Sequence, residues 1–237
     1  MVVDGRGRFV TQRTLPALAR VRTQLGDDSL TLSAPGHAPF TLPVSGRAVG
    51  ARVPVEVRSH RLMAEDCGKP AADWISATLG EPLRIVRACD DVWREPDGEF
   101  RGITPAPVSF PDAYPLLVCN TASLAELNRR MGSDGPVPMD RFRPNVVIDG
   151  WESFVEDQYT VIAIDDVRLR LVKACARCST TTIDQQSGAA SANPLPALRR
   201  FRFDRALRGV TFGQNAVIVA GIGHALSVGS QVKENHG

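Results

Sequence analysis

No stretch of about 18 uninterrupted apolar residues occurs in this chain, so no membrane-spanning helix is expected. An excess of one charge sign is missing too: 28 Lys and Arg stand against 26 Asp and Glu, a net charge of +2. That near-balance speaks against a general nucleic-acid binder and for a local, shaped site. The opening residues 1–6 have neither a basic lead nor a long apolar core, so no secretion signal is expected. Cysteines number five, an odd count at irregular spacing, in a chain large enough to bury a core without staples. They are expected as reduced thiols in a cytoplasmic setting. Histidines stand singly, at His37, His60, His224 and His236, and offer no paired metal ligands. The cysteines likewise lack the spacing of an iron–sulfur cluster.

What is present reads as a mainly β chain. Apolar residues make up 43%, and 17 prolines, 20 glycines and many Val- and Thr-rich runs favour short strands joined by turns. Residues 1–11 read as strand, Asp4-Gly5 turn and strand, a hairpin signal. Residues 18–21 and 29–33 alternate apolar and polar, as strands do, with Gly26, Asp27 and Asp28 as the turn. Residues 41–44 and 53–57 add strands in which Pro43 and Pro54 belong at ends or edges. A first helix is expected over residues 70–80, with proline in its first turn and glycine at its end. Its Ala71, Trp74, Ile75 and Leu79 share one core face. Cys67, just before it, reads as a structural thiol, and residues 83–87 as the next strand. Residues 90–104, rich in charge, Pro and Gly, mark a domain boundary, giving domains over 1–92 and 105–234.

Residues 120–130 are expected as a helix, with Ser123 and Glu126 at capping-box spacing and Thr121 as an alternative cap. Glu156 and Asp157 are neighbours. On a strand they would point opposite ways, so they read as a turn acid and a hydrogen-bond acceptor rather than a shared acid pair. Residues 159–164 and 167–171 form a hairpin around Asp165 and Asp166. Residues 193–202 suit a short basic helix, and Arg199, Arg200, Arg202, Arg205 and Arg208 are the strongest charge cluster. Its plain reading is a solvated face; its functional one is docking of an acidic electron donor. Residues 209–219 read as a strand, and residues 227–232 as the closing one.

Two phrases carry chemistry. In the first, Pro144 is expected to hold Arg143 extended, so that its guanidinium projects from the loop. An arginine fork suits a bidentate hold on phosphate, and Asn145 adds donors and an acceptor. A surface arginine with a turn asparagine would look the same. In the second, Cys175-x-Arg177-Cys178, three readings compete. A redox pair should open a helix, whereas Ser179 to Ile183 is strand-forming. Zinc would need a second pair of ligands, and Cys67, Cys89 and Cys119 are scattered. The third reading is one soft thiolate on a soft metal, with the adjacent arginine favouring ionised sulfur and anionic phosphate. Asp184, beyond it, reads as a loop anchor, with a proton relay as the lesser option.

R-F-R-P-N at 141–145 together with C-x-R-C at 175–178 resembles the MOSC domain (molybdenum-cofactor sulfurase C-terminal) family, in its amidoxime-reductase-like branch. The resemblance implies an α+β, mainly β fold: an incomplete N-terminal β-barrel-like domain, then a MOSC β-barrel with peripheral helices. The N-terminal domain is expected to lack its first strands, which in the family carry a lysine–serine pair and an arginine for the cofactor. Arg13 matches a family turn arginine. Cys178 is implied as the catalytic molybdenum ligand, with Cys175 a packed neighbour. Arg143, Asn145 and Arg177 would hold pterin or phosphate groups. The loop at Asp112, Ala113 and Tyr114 would contact the cofactor through backbone groups, because the family's small hydroxyl residues are absent. Asn215, in the F-G-Q phrase, would come over the cofactor, and Ser230 replaces the usual acid of V-G-D-x-V. The implied activity is reduction of small N-hydroxylated compounds, hydroxylamines and amidoximes, using the molybdenum cofactor and a separate ferredoxin-like donor. Neither nucleic acid nor membrane is an expected partner. The alternative is a non-enzymatic carrier of molybdenum cofactor or sulfur.

Overall fold

Val3 is buried between half-exposed Val2 and Asp4, the alternation of a strand with one covered face. In the computed structural model, residues 1–44, 50–58, 60–89, 91–92, 110 and 114–235 are described. The chain divides into two units: Met1–Arg94 with Ile183–Ala190, and Glu95–Thr182 with Ser191–Gly237. The boundary expected across residues 90–104 falls mostly outside the described residues.

The first unit holds β1 (Val2–Asp4), β2 (Arg22–Leu25), β3 (Ser29–Ala34), β4 (His37–Pro43), β5 (Arg52–Val57), β6 (His60–Asp66), α1 (Lys69–Leu79) and β7 (Leu83–Ala88). They form one antiparallel sheet in the order β1-β7-β6-β5 and another in the order β2-β3-β4. Pro43 ends β4 and Pro54 lies in β5, and both strands are sheet edges, where a missing N–H is tolerated. Residues 18–21 are not a strand. Proline at the first position of Pro16–Arg20 starts a 3-10 turn, and the strand begins only at Arg22. Helix α1 buries Ala71 and Ile75 against Leu32, Leu42, Leu83 and Ile85, and ends at Gly80 in the left-handed region. Half-buried Cys67 packs on the same core, and burial pushes its thiol pKa up.

The second unit holds β8 (Leu116–Asn120), α2 (Thr121–Met131), β9 (Val146–Ile148), β10 (Val161–Ile164), β11 (Val167–Ala176), α3 (Leu195–Phe201), β12 (Phe203–Asp204), β13 (Gly209–Ala220) and β14 (Val232–Asn235). Its sheet runs β14-β10-β11-β13-β8-β9 and curls into a nearly closed barrel, with β12 paired to β13. All these pairs are antiparallel except β8 with β9. One face packs Val118, Ile162, Leu169 and Ala216; the other packs Leu127, Phe142, Leu198 and Phe212 with α2 and α3. Among the described residues the fold is mainly β, with three α-helices.

Two local expectations change. The cap of α2 is Asn120, whose side chain accepts the Ala122 N–H at 3.0 Å. That residue is still extended as the end of β8, so the cap precedes both Thr121 and Ser123. The closing strand starts at Val232 rather than at residue 227.

Candidate functional site

β11 and β13 bring the second phrase to a strand end. Their ladder pairs Ala176 with Thr211, and the Arg177 N–H continues it onto the Val210 carbonyl at 2.8 Å. Cys178 is the first residue beyond, and it is exposed. A 3-10 turn, Ser179–Thr182, follows, in which the Thr181 N–H and hydroxyl donate to the Cys178 carbonyl at 3.2 and 3.0 Å. The hydroxyl-rich run therefore ties down the backbone of Cys178 while its thiol projects, 3.4 Å from Thr180 Oγ1.

Cys175 is still inside the ladder, half-buried, with its sulfur 3.0 Å from Arg177 Nη1. Its sulfur faces the Arg177 guanidinium whereas that of Cys178 faces the Thr180 hydroxyl, and both thiols are free. The pair is thus not arranged as a dithiol. Among the described residues no three His, Cys, Asp or Glu side chains converge as a metal cluster would require. A single projecting thiol is what the geometry offers.

The first phrase is bolted to that thiol's turn. Met139–Phe142 is a 3-10 turn, and exposed Arg143 closes it at φ 55° and ψ 51°. Arg143 is left-handed rather than extended: a following proline disfavours the right-handed helical region, and a left-handed residue is a common way to end a turn. Arg177 reaches back to donate from Nη2 to the Phe142 carbonyl at 2.7 Å. Arg141, 3% exposed, donates from Nη1 to the Thr181 carbonyl at 3.4 Å. The Phe142 ring, stacked on Phe212 with centroids 4.0 Å apart, anchors the crossing. Two arginines thus hold the Arg143 loop and the Cys178 turn as one structure.

Asn145 exchanges hydrogen bonds with β8: its N–H donates to the Leu117 carbonyl, and its Oδ1 accepts the Leu117 N–H, each at 2.9 Å. On the far side of Leu117 stands Asn215 of β13, whose Nδ2 donates to the Lys173 carbonyl at 3.2 Å. Two strand spacings put Asn145 and Asn215 about 10 Å apart on one row of the sheet. Tyr114 is 7% exposed and packs with Val172 and Val217, leaving only its backbone for other contacts. Asp112 and Ala113 lie outside the described residues. Asp184 belongs to the first unit, where its carboxylate accepts the Gln186 and Ser187 N–H groups at 3.1 and 2.8 Å as a loop anchor.

One other thiol and two other acids are committed elsewhere. Burial pushes the Cys119 thiol up to about 12, so it stays protonated inside the core. Glu156 and Asp157 sit in a 3-10 turn, not a strand. Glu156, 1% exposed, accepts from Ser123 Oγ at 2.7 Å and Asn120 Nδ2 at 3.0 Å. Asp157 takes the fork of Arg202 at 2.5 and 3.1 Å and Gln214 Nε2 at 2.6 Å. Sequence reasoning gave Arg141 no role of its own. A buried arginine two residues from an exposed one, around a stacking phenylalanine, was the signal available. A cavity of about 550 Å³, lined by Asp157, Lys173, Arg202, Thr211 and Gln214 among others, was not foreseen either.

Residues 105–233 match the MOSC domain, and residues 1–82 match the MOSC N-terminal beta barrel domain. The chain belongs to the MOSC domain family. Mitochondrial amidoxime-reducing component 1 of Mus musculus is 33% identical over 206 residues, covering 85% of this chain and 60% of that protein. The Homo sapiens protein of the same name is 32% identical over 237 residues, covering 92% of this chain and 67% of its own length. This MOSC chain therefore spans roughly three-fifths to two-thirds of these relatives. A solution structure of a Bordetella bronchiseptica protein is 30% identical but covers 38% of this chain and 72% of that one with a TM-score of 0.35, too loose an overlay to bear on the site. Cys178, Arg143, Asn145, Arg177 and Asn215 all fall within the matched MOSC portion.

Proposed function

We propose that this MOSC protein binds the molybdenum cofactor through Cys178 and reduces small N-hydroxylated compounds to amines. The observation that carries this reading is the one exposed thiol at the end of β11, locked beside exposed Arg143 by the Arg177–Phe142 bond. The relatives' name, amidoxime-reducing component, agrees with it.

The residues present fit the group. A single soft thiolate suits a soft metal, with no second cysteine sulfur positioned to compete. Arg143 offers a free-standing fork for phosphate, and Asn145 and Asn215 present amides along one sheet row. By the family resemblance, backbone groups at Asp112, Ala113 and Tyr114 would join the holding set. Arg177 contributes positive charge and fixes the loop, since both its terminal nitrogens donate to protein atoms. When bound, the cofactor supplies the two-electron redox chemistry. The protein would orient the N–OH group and keep Cys178 rigid. The balanced reaction is R–NHOH with two electrons and two protons giving R–NH2 and water. The electrons come from a separate ferredoxin-like protein. Five free cysteines support a reducing, cytoplasmic setting.

The deciding experiment supplies reduced viologen and an aryl amidoxime to cofactor-loaded protein. Amine should form, and Cys178→Ala should abolish it with the circular dichroism spectrum unchanged. Amine formation that survives the substitution, or stoichiometric zinc without molybdenum, would overturn the assignment. A persulfide on Cys178 by mass spectrometry, with no turnover, would favour the carrier alternative.

A further inference from the structure

The segment from Leu195 to Gly209 has five arginines and one acid, Asp204, and the fold sorts them. Arg202 turns inward onto Asp157 and lies 4.6 Å over the Phe154 ring. Arg199, Arg200, Arg205 and Arg208 are exposed. Arg200 reaches the Arg130 carbonyl at the end of α2 at 3.1 Å, so the positive surface continues onto that helix. The acids nearby do not cancel it. Asp204 and Glu126, the latter shared by Arg129 and Arg130, are two carboxylates against those two arginines and the four exposed ones.

This surface lies at the thiol. Helix α3, which carries Arg199 and Arg200, packs against the 3-10 turn that follows Cys178, and the Arg177 N–H bonds to the carbonyl of Val210, two residues after Arg208. The arginine segment therefore meets the chain on both sides of Cys178.

We propose that the face formed by Arg199, Arg200, Arg205 and Arg208 docks an acidic one-electron carrier protein beside Cys178, resting on the reductase reading above. Each N–OH reduction consumes two electrons, so two reduced carriers are oxidised in turn as R–NHOH and two protons become R–NH2 and water. Complementary charge speeds such encounters and suits the small, short-lived interfaces of electron transfer. With a net charge of only +2, the positive field is local and directs a partner to one end of the barrel. An anionic membrane is a poorer occupant, because Phe203, the exposed ring here, lies under the Arg199 guanidinium at 5.3 Å rather than free to insert. Nucleic acid is poorer still, for want of a stacking platform.

The probe is an acidic [2Fe–2S] ferredoxin, and the variant is Arg205→Glu with Arg208→Gly. Arg208 has φ 51°, which glycine adopts without strain, so the second change is compatible with folding. Arg199→Gln with Arg200→Gln is the independent pair. With reduced ferredoxin and loaded protein, each pair should raise KM for ferredoxin at least about tenfold, the size of a lost charge-pair coupling. The viologen-driven rate should not move. Calorimetry of the cofactor-free full chain with oxidised ferredoxin should show binding at low salt that both pairs lose. Unchanged ferredoxin KM and binding in both pairs would overturn the proposal. So would wild-type binding to phosphatidylserine vesicles or an RNA oligonucleotide without binding to ferredoxin. If viologen itself drives no amine formation in the wild type, the reductase reading fails, and the calorimetry still decides the docking face.

Discussion

Five thiols in one chain differ in access, and that difference is measurable. Cys178 is exposed, whereas Cys89 and Cys119 are 2% and 0% exposed. Alkylation of native protein, read by peptide mass spectrometry, should modify Cys178 first and leave Cys89 and Cys119 until unfolding. Prompt labelling of Cys119 would contradict its packing. The Cys119 thiol also has a pH signature. Its folded pKa, about 12, is raised above the unfolded value of about 8.5. The unfolded state therefore loses its proton first, so this contribution to stability is intact below about pH 8.5 and is lost as pH rises toward 12, at up to about 1.4 kcal/mol per pH unit. Urea midpoints between pH 8 and 10 should fall more steeply in wild type than in Cys119→Ala. Parallel curves would refute it. Arg177 gives a different test. Arg177→Lys keeps the charge but cannot hold the Cys175 sulfur and the Phe142 carbonyl at once. It should cost about 2 kcal/mol, one charge-assisted hydrogen bond, and weaken cofactor retention while Cys178 remains alkylatable. Full retention would show that Arg177 does not fix the loop.

At the scale of elements, β13 turns on one glycine. Gly213 has φ 74°, and a Cβ there would meet Cys119 Sγ and the Val118 carbonyl, both at 2.7 Å. Gly213→Ala combines left-handed strain with overpacking and should cost at least about 2 kcal/mol, seen as a lower urea midpoint. A shift within error would mean that β8 and β13 can separate locally. The sequence marked F-G-Q only by resemblance, because close approach of two strands leaves no periodic signature. Elements set by local rules were legible: α1 between proline and glycine, the hairpin at Asp165 and Asp166, the strand leading into C-x-R-C. Elements set by competing local rules were misread. Residues 18–21 alternate like a strand, yet Pro16 starts a 3-10 turn; Ser123 has capping spacing, yet its hydroxyl is drawn inward to Glu156. The candidate site was legible as residue types in Cys178, Arg143 and Asn145. What joins them was not, since Arg141 and Arg177 donate to backbone carbonyls, and no side-chain pattern encodes a carbonyl.

Across the whole molecule, the chain leaves the second unit after Thr182, contributes Ile183–Ala190 to the first, and returns at Ser191. The neck of this excursion is closed by the Ser191 N–H on the Thr182 carbonyl at 2.9 Å. Its tip is held within the first unit by side chains. Gln185 and Gln12 exchange amide hydrogen bonds at 3.1 and 3.0 Å, and Arg22 donates to Gln186 at 2.5 Å. Gln185 is 7% exposed; without Gln12 its Nε2 keeps the Ile183 carbonyl at 3.1 Å but its buried Oε1 loses its donor, a cost of about 1–3 kcal/mol. Such a loss falls on local opening rather than on the whole fold, because the excursion is short and bounded by its own neck. Gln12→Ala with Arg22→Ala should therefore raise the open fraction of residues 183–190 roughly tenfold or more, each 1.4 kcal/mol being one factor of ten. Limited digestion with a broad-specificity protease should then cut the variant within 183–190 correspondingly faster, while the urea midpoint of the second unit stays where it was. Equal cutting rates would show that backbone contacts alone secure the excursion. Cleavage spread through the first unit would show that the two side-chain links support that unit as a whole.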